Sequence, residues 1–416
     1  MNPTESVLVA GKAAAGRWRT RLLFITVAAC PVLVMAAYRI VYMLTYADSD
    51  FFTFWLAGHM TWTGENPYVS AQWLGGHHQF GANWIPNPIF PYPLPLATLM
   101  APLGGLRLDQ AYVVWMALSF VLLLVAATLV LVWRPDHRLK HYVVPVAAGL
   151  VLFRPLWVTV RDGQLGGLLL LLLVLAACLW EDGRGRAGGV ALALIALKPS
   201  LGLPILALAL IWLLATKRWG AVAAVVATEL GLLVLGLIRD PRWPVEFLTI
   251  GQSKLESTFG FSPSVWGMAG AVCGQAGPCL LWTGGLLTAG LVVATGWFLI
   301  KGRNRLSPLA AIGLSVSVAV LVTPYIWAYD QILLVLPIVY IVTVLMRRGQ
   351  PYLVGALFFL MVDVAAIGLL LVAVQVGQDY WSGLIPAVVG AALVWSIMAT
   401  AAEREPFAAR PALRRS

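Results

Sequence analysis

Residues 110–142 read QAYVVWMALSFVLLLVAATLVLVW followed by RPDHRLKHY. The first 24 residues carry no charge, and the next nine carry Arg134, Arg138 and Lys140. As a helix, such a run rises ~36 Å, enough to cross a hydrocarbon layer of ~30 Å. Lipid offers the backbone no hydrogen-bond partners, so a continuous apolar run must satisfy its own backbone as a helix. The basic cluster at one end marks the inner side of the membrane.

Runs of this kind recur along all 416 residues. We read spans near 22–45, 110–133, 143–160, 165–180, 187–197, 200–215, 219–238, 278–300, 307–323, 331–346, 351–374 and 384–400. The expected fold is an all-α polytopic membrane protein with about twelve transmembrane helices. Its inner segments would be 1–21, 134–142, 181–186, 216–218, 301–306, 347–350 and 401–416, which hold 20 of the 28 Lys and Arg residues. That distribution puts both termini in the cytoplasm. It gives a basic tail (1–21), one integral domain (22–400) and a second cytoplasmic tail (401–416).

A composition of 60% hydrophobic and 11% charged residues excludes a soluble globular protein of this size. Continuous rather than alternating apolar runs exclude a β-barrel. The net charge of +10 lies in short clusters between spans, so it reports topology and not a nucleic-acid partner. Of the four cysteines, Cys30 and Cys178 fall inside spans. Cys273 and Cys279 lie close together on the outer side, where an oxidising compartment would allow a disulfide. No Cys and His spacing resembles a metal site, and no cofactor is expected.

The outer segments hold the chemistry. The first runs over 46–109 and the second over 239–277, with shorter ones at 324–330 and 375–383. Within the first, the prolines at 86, 88, 91, 93 and 95 break regular helix. If 86–106 crossed the membrane, Arg134, Arg138 and Lys140 would land outside. We therefore place it as an outer or re-entrant segment.

That first segment opens on Asp48-Ser49-Asp50 and continues with Trp55, Trp62, Trp73, Trp84, Tyr68 and Tyr92. Aromatic rings at a membrane edge belong to an interfacial belt, or they form a platform for the apolar faces of sugars. Trp55, His59, Glu65 and Tyr68 are the sugar- or acceptor-binding candidates here. Trp327, Tyr329 and Asp330 are the candidates on the late outer segment. Asp50 is the candidate catalytic base. A carboxylate at the membrane edge is partly desolvated, which pushes its pKa towards neutrality. Its bland alternative is a helix cap. Asp48-Ser49-Asp50 also has the acid-x-acid form of a metal motif, and Asp48 is given no role.

A phosphate needs cations. Arg161, in Arg161-Asp162-Gly163-Gln164, and Lys198, in Lys198-Pro199, sit at outer ends of spans. The alternative for Arg161 is a salt bridge to Asp162. Lys198 has no acid close in sequence, which favours it as a phosphate ligand acting as a point charge. Arg161 and Gln164 complete the donor-phosphate set.

The segment Asp50–Ala57, then Gly64-x-x-Pro67-Tyr68, Tyr92-Pro93-x-Pro95, Gly163-Gln164, Lys198-Pro199 and Thr323-Pro324-Tyr325-Ile326-Trp327, together resemble glycosyltransferase family 87. The resemblance covers about residues 46–346. It implies a GT-C type bundle with the catalytic acid, Asp50, in the first outer loop. It also implies a sugar donor carried on polyprenyl phosphate and inversion at the anomeric carbon. The best-known members are actinobacterial α-mannosyltransferases acting on glycolipids. These carry histidine soon after the segment matching Thr323–Trp327; here that stretch is Trp327-Ala328-Tyr329-Asp330.

The expected protein is thus a glycosyltransferase of a bacterial plasma membrane. Its partners would be a lipid-linked sugar, a glycolipid or glycan acceptor and membrane lipid, with mannose the favoured sugar and cell-envelope glycolipid synthesis the setting. The alternative class is a transporter or flippase for a lipid-linked sugar without catalysis. A transporter places its charges near the midplane, whereas Asp50, Arg161 and Lys198 all map to outer ends.

Overall fold

The computed structural model describes residues 46–83, 85, 90–133, 153–256, 259–350 and 368–408. Every regular element among them is helical. The main helices are α1 (Asp50–Thr63), α2 (Ser70–Gln79), α3 (Leu94–Gly104), α4 (Leu108–Trp133), α5 (Arg154–Arg161), α6 (Gly166–Glu181) and α7 (Gly185–Ala193). They continue as α8 (Pro199–Ala215), α9 (Trp219–Arg239), α10 (Trp243–Glu256), α11 (Val265–Cys273) and α12 (Pro278–Lys301). Last come α13 (Pro308–Val322), α14 (Val335–Arg347) and α15 (Leu384–Ala408). Short 3-10 turns lie at Leu194–Leu197, Ala328–Leu334 and Tyr380–Gly383.

Five stretches are long and apolar enough to cross a membrane: Leu108–Val130, Trp219–Arg239, Pro278–Lys301, Ala328–Arg347 and Tyr380–Thr400. Each falls on a span expected from the sequence. The described residues form an all-helical protein of the polytopic membrane type. The count of about twelve is not reached by length. Gly166–Glu181, Gly185–Leu197, Pro199–Ala215 and Pro308–Val322 are apolar but only 10–17 residues long. The reason for the shortness of two of them is local. Leu194–Leu197 tightens to 3-10 geometry, and Pro199 then starts a new helix at its first position, where a missing N–H costs nothing. The expected span 22–45, residues 143–152 and 351–367 of two others, and the tails 1–21 and 409–416 lie outside the described residues.

α13 is the centre of the bundle. All 15 of its residues are buried, and α8, α12, α14 and α15 pack around it. A helix apolar and buried all round belongs inside, not at an edge. α9 is its opposite: it packs on α7, while Val226, Leu230, Val234 and Ile238 stay exposed, a face suited to lipid.

Residues 46–109, expected as an outer loop, are largely helical where described. They fold into α1, α2 and α3. α1 begins after Ser49, with Asp50 in its first turn, where an acid favours the helix dipole. It stops at Gly64, whose φ of +86° gives the left-handed C-cap that glycine adopts without strain. Between them Phe51, Phe52, Phe54, Trp55, Leu56 and Met60 are buried on every side of the helix. Each such side chain contributes roughly 1.5–3 kcal/mol on burial. α1 crosses α3 at backbone contact. A Cβ on Gly104 would stand 2.2 Å from the Gly58 carbonyl carbon, and one on Gly58 2.5 Å from the Met100 oxygen. α3 has 11 residues, about 17 Å of helix, well short of a bilayer core.

The segment from the end of α9 into α10 docks on the far end of α1. Arg239 donates to the Thr61 carbonyl. Asn66 Nδ2 donates to Asp240 at 2.8 Å and to Glu246 at 3.4 Å. Cys273 and Cys279 form a disulfide, Cα–Cα 5.5 Å, that joins the end of α11 to the start of α12. Cys178 is buried and is not part of that disulfide; Cys30 lies outside the described residues.

Candidate active site

Four polar side chains from four separate elements meet at the N-terminus of α1. Gln164 Nε2 donates to Asp50 Oδ2 at 2.7 Å. Lys198 Nζ donates to Gln164 Oε1 at 3.0 Å and to Asp330 Oδ1 at 2.5 Å. Asp330 Oδ2 accepts the Trp327 N–H at 3.1 Å. Gln164, Lys198 and Asp330 are buried, and Asp50 is partly exposed at the open end of the row.

Local sequence explains each placement. The turn Arg161–Gln164 is pinned from three sides. Phe51 N donates to the Asp162 carbonyl at 3.0 Å. The Tyr112 hydroxyl donates to the Arg161 carbonyl at 2.5 Å, and the Trp115 indole to the Gly163 carbonyl at 2.7 Å. Gly163 has φ +67°, and a Cβ there would lie 2.5 Å from Phe51 Cβ. Glycine is therefore required for the turn to seat Gln164 under Asp50. The proline that follows keeps Lys198 out of helical geometry, at φ −115° and ψ 83°. Gly202 lets the 3-10 turn fold back on α8, since a Cβ there would sit 2.1 Å from the Ile195 oxygen. Thr159 Oγ1 donates to the Tyr329 carbonyl at 2.9 Å and ties α5 to the turn that carries Asp330.

Burial pushes the Asp50 carboxyl up to about 6, with Asp162 and Asp330 pushing the same way. The Gln164 hydrogen bond and Lys198 oppose the rise. Tyr92 and Tyr325 stand close enough to feel Asp50, and burial raises both phenols, so both stay protonated. Tyr329 places its ring 4.8 Å from Lys198 Nζ, a cation–π contact. Arg161 lies at the rim, paired with Asp162 at 2.7 Å and 61% exposed in its side chain. Trp327 is also at the rim.

The structure thus brings Asp50, Gln164, Lys198, Tyr329 and Asp330 into one cluster, with Arg161 and Trp327 beside it. It places the other candidates along α1. Trp55 is buried, donates to the Leu106 carbonyl at 3.2 Å and stacks on His59. His59 Nδ1 meets the Gly104 carbonyl at 2.8 Å. Nine residues of helix set His59 about 14 Å from Asp50 along the axis. Glu65 is exposed beyond the end of α1. Tyr68 is buried and donates to the Tyr92 carbonyl at 2.6 Å, so it acts on the cluster through Tyr92. Asp48 accepts the Asn83 N–H at 3.0 Å, which ties down the segment after α2. Tyr92 and Tyr325 were missed as site residues, although both sit in motifs quoted for the family resemblance.

The model of glycosyltransferase family 87 matches residues 90–324. That is more than half of the chain. The chain belongs to glycosyltransferase family 87. The match contains Gln164 and Lys198 and stops just short of Asp330; Asp50 precedes it. Neither a curated protein nor a solved structure matches the chain. As a family 87 member it is a membrane glycosyltransferase, with a sugar donor and an acceptor as substrates. The polar row lies at one end of the helices, where such substrates can reach it.

Proposed function

We propose that this glycosyltransferase moves one hexose, with mannose favoured by the family resemblance, from a polyprenyl phosphate carrier to a glycolipid or periplasmic glycan. Asp50 is the general base. The acceptor hydroxyl attacks the anomeric carbon from the face opposite the phosphate. Its O–H bond breaks and the proton passes to Asp50. The new C–O bond forms as the bond to phosphate breaks, with inversion. Polyprenyl phosphate leaves as a stable anion, so one carboxylate suffices where a hydrolase uses two.

The observation that carries this reading is the Asp50 carboxyl. It is raised to about 6 yet ionisable, because Gln164 donates to it at 2.7 Å. A base poised there is deprotonated at neutral pH and strong enough to take a proton. Arg161, exposed at the rim, faces the carrier phosphate. Lys198 adds positive charge to the same subsite from beneath. Trp327, Tyr329, Tyr92 and Tyr325 line the sugar position, while Trp55, His59 and Tyr68 shape it through α1 and Tyr92.

An apolar groove supports a lipid carrier. It is lined by Leu123 and Val130 of α4, Leu156 of α5, Val174 of α6, and Ile332 and Val339 at and beyond the turn carrying Asp330. It starts two residues from the polar row, and an isoprenoid chain fits its chemistry. The site is assigned to the outer face of a bacterial plasma membrane, with both chain ends inside. The positive-inside charge pattern and the Cys273–Cys279 disulfide support that orientation. Family membership favours catalysis over the transport reading.

The test is sugar transfer from polyprenyl-phosphate-mannose by the purified full chain in lipid nanodiscs, with a membrane glycolipid fraction as acceptor. Wild type transfers and Asp50→Asn does not. Full transfer by Asp50→Asn sinks the assignment of the base.

A further inference from the structure

The Gln164 side chain has no freedom to choose its orientation. An ammonium carries three donors and no acceptor. Lys198 therefore must meet the oxygen end of the Gln164 amide, which it does at 3.0 Å. The NH2 end must then point the other way, at Asp50 Oδ2, 2.7 Å off. Lys198 is itself held by Asp330, whose second oxygen takes the Trp327 N–H. Lys198, Gln164 and Asp330 are each only about 2% exposed, so water does not compete for these bonds.

We infer that Asp330, Lys198 and Gln164 form a one-way hydrogen-bond chain that holds Asp50 as an acceptor through Oδ2 and leaves Oδ1 to take the incoming proton. Asp330, Lys198 and Gln164 are thereby positioning residues. This rests on Asp50 being the base. A free amide beside a carboxylic acid could rotate and accept from its proton, which would stabilise the neutral acid and idle the base. Lys198 forbids that rotation, and Asp330 keeps Lys198 in place.

Several other groups face Asp50 and bear on its titration. Asp162 and Asp330 raise it and Lys198 lowers it. Arg161 stands within electrostatic reach on the α5 turn. The phenols of Tyr92, Tyr112, Tyr325 and Tyr329 face it from the segment before α3, from α4 and from the late turn. The test must therefore separate the chain's polarity from its net charge.

Infrared difference spectra of the full chain in nanodiscs, titrated with pH against an Asp50→Asn blank, read the Asp50 carboxyl without turnover. Gln164→Leu is expected to raise its midpoint by about one pH unit or more, the size of one lost charge-assisted hydrogen bond. The pair Lys198→Met with Asp330→Asn keeps the net charge and leaves no buried charge unpaired, so it guards against simple unfolding. The chain requires this pair to raise the midpoint by as much as Gln164→Leu does, because the amide is released; a pure charge effect gives only the small rise left when the loss of Lys198 slightly outweighs the loss of Asp330. An unmoved midpoint in folded Gln164→Leu, or no more than that small rise in the folded pair, overturns the chain. If instead Asp50→Asn transfers sugar at the wild-type rate, the base reading fails while the spectra still judge the chain.

Discussion

The two ends of α1 carry the same kinds of residue and use them oppositely. At the start, Asp50 joins a buried row of Gln164, Lys198 and Asp330 drawn from across the sequence. At the finish, His59 and Trp55 bond carbonyls of and just after α3, while Glu65 stays exposed beyond the cap. Both ends look functional in sequence because both combine acids with aromatic rings. The difference is what lies underneath. Burial, with buried charges beneath it, perturbs the Asp50 carboxyl; aromatic over backbone gives a joint that fixes one helix on another.

Mutation at each end tests that contrast. Asp50→Asn at the first end is expected to cut transfer by about 100- to 10,000-fold, the range for a lost general base, with thermal unfolding unchanged. Lys198→Ala leaves Asp330 buried without its partner. The expected cost is about 3–5 kcal/mol of stability, read by thermal unfolding in detergent. At the second end Gly104→Val must push α1 off α3, so it is expected to lower the unfolding temperature. The midpoint of the pH–rate profile stays at the wild-type value. A shifted midpoint there would break the division between the two ends.

The pH–rate profile itself is a prediction. The working form of Asp50 is the anion. Transfer is expected to hold above about pH 6 and to fall about tenfold per pH unit below it. A profile flat to pH 4 contradicts the raised carboxyl. Smallest of all, Glu65→Gln is expected to change kcat/KM by less than about twofold, as an exposed charge outside the row.

The crossing helices were readable because lipid imposes one simple pattern. α12 follows an uncharged run of bilayer length, with basic residues at one end, and nothing tertiary is needed to find it. α1 was read as open loop because it is too short for a span and apolar all round, so no periodicity marks it. Its helical state is decided by the close approach of Gly58 and Gly104, a contact between segments. Asp50 was legible as an odd acid at a membrane edge. Lys198 was legible as an odd base, but its partner was not, because Asp330 lies 132 residues away. Trp55 and His59 were legible as rings, yet which way a ring faces depends on α3, and sequence spacing does not report that.

The same 132-residue gap sets an order of events during synthesis. Lys198 leaves the ribosome well before Asp330. At about 5–20 residues per second, roughly 7–26 s pass before the acid follows. Throughout that interval the half-built protein holds an ammonium with no counter-charge at the edge of the lipid. The translocation machinery, or a bound water or lipid headgroup, must shelter it until the last third of the chain arrives. A truncation ending before residue 330 therefore leaves the Lys198 ammonium without this partner.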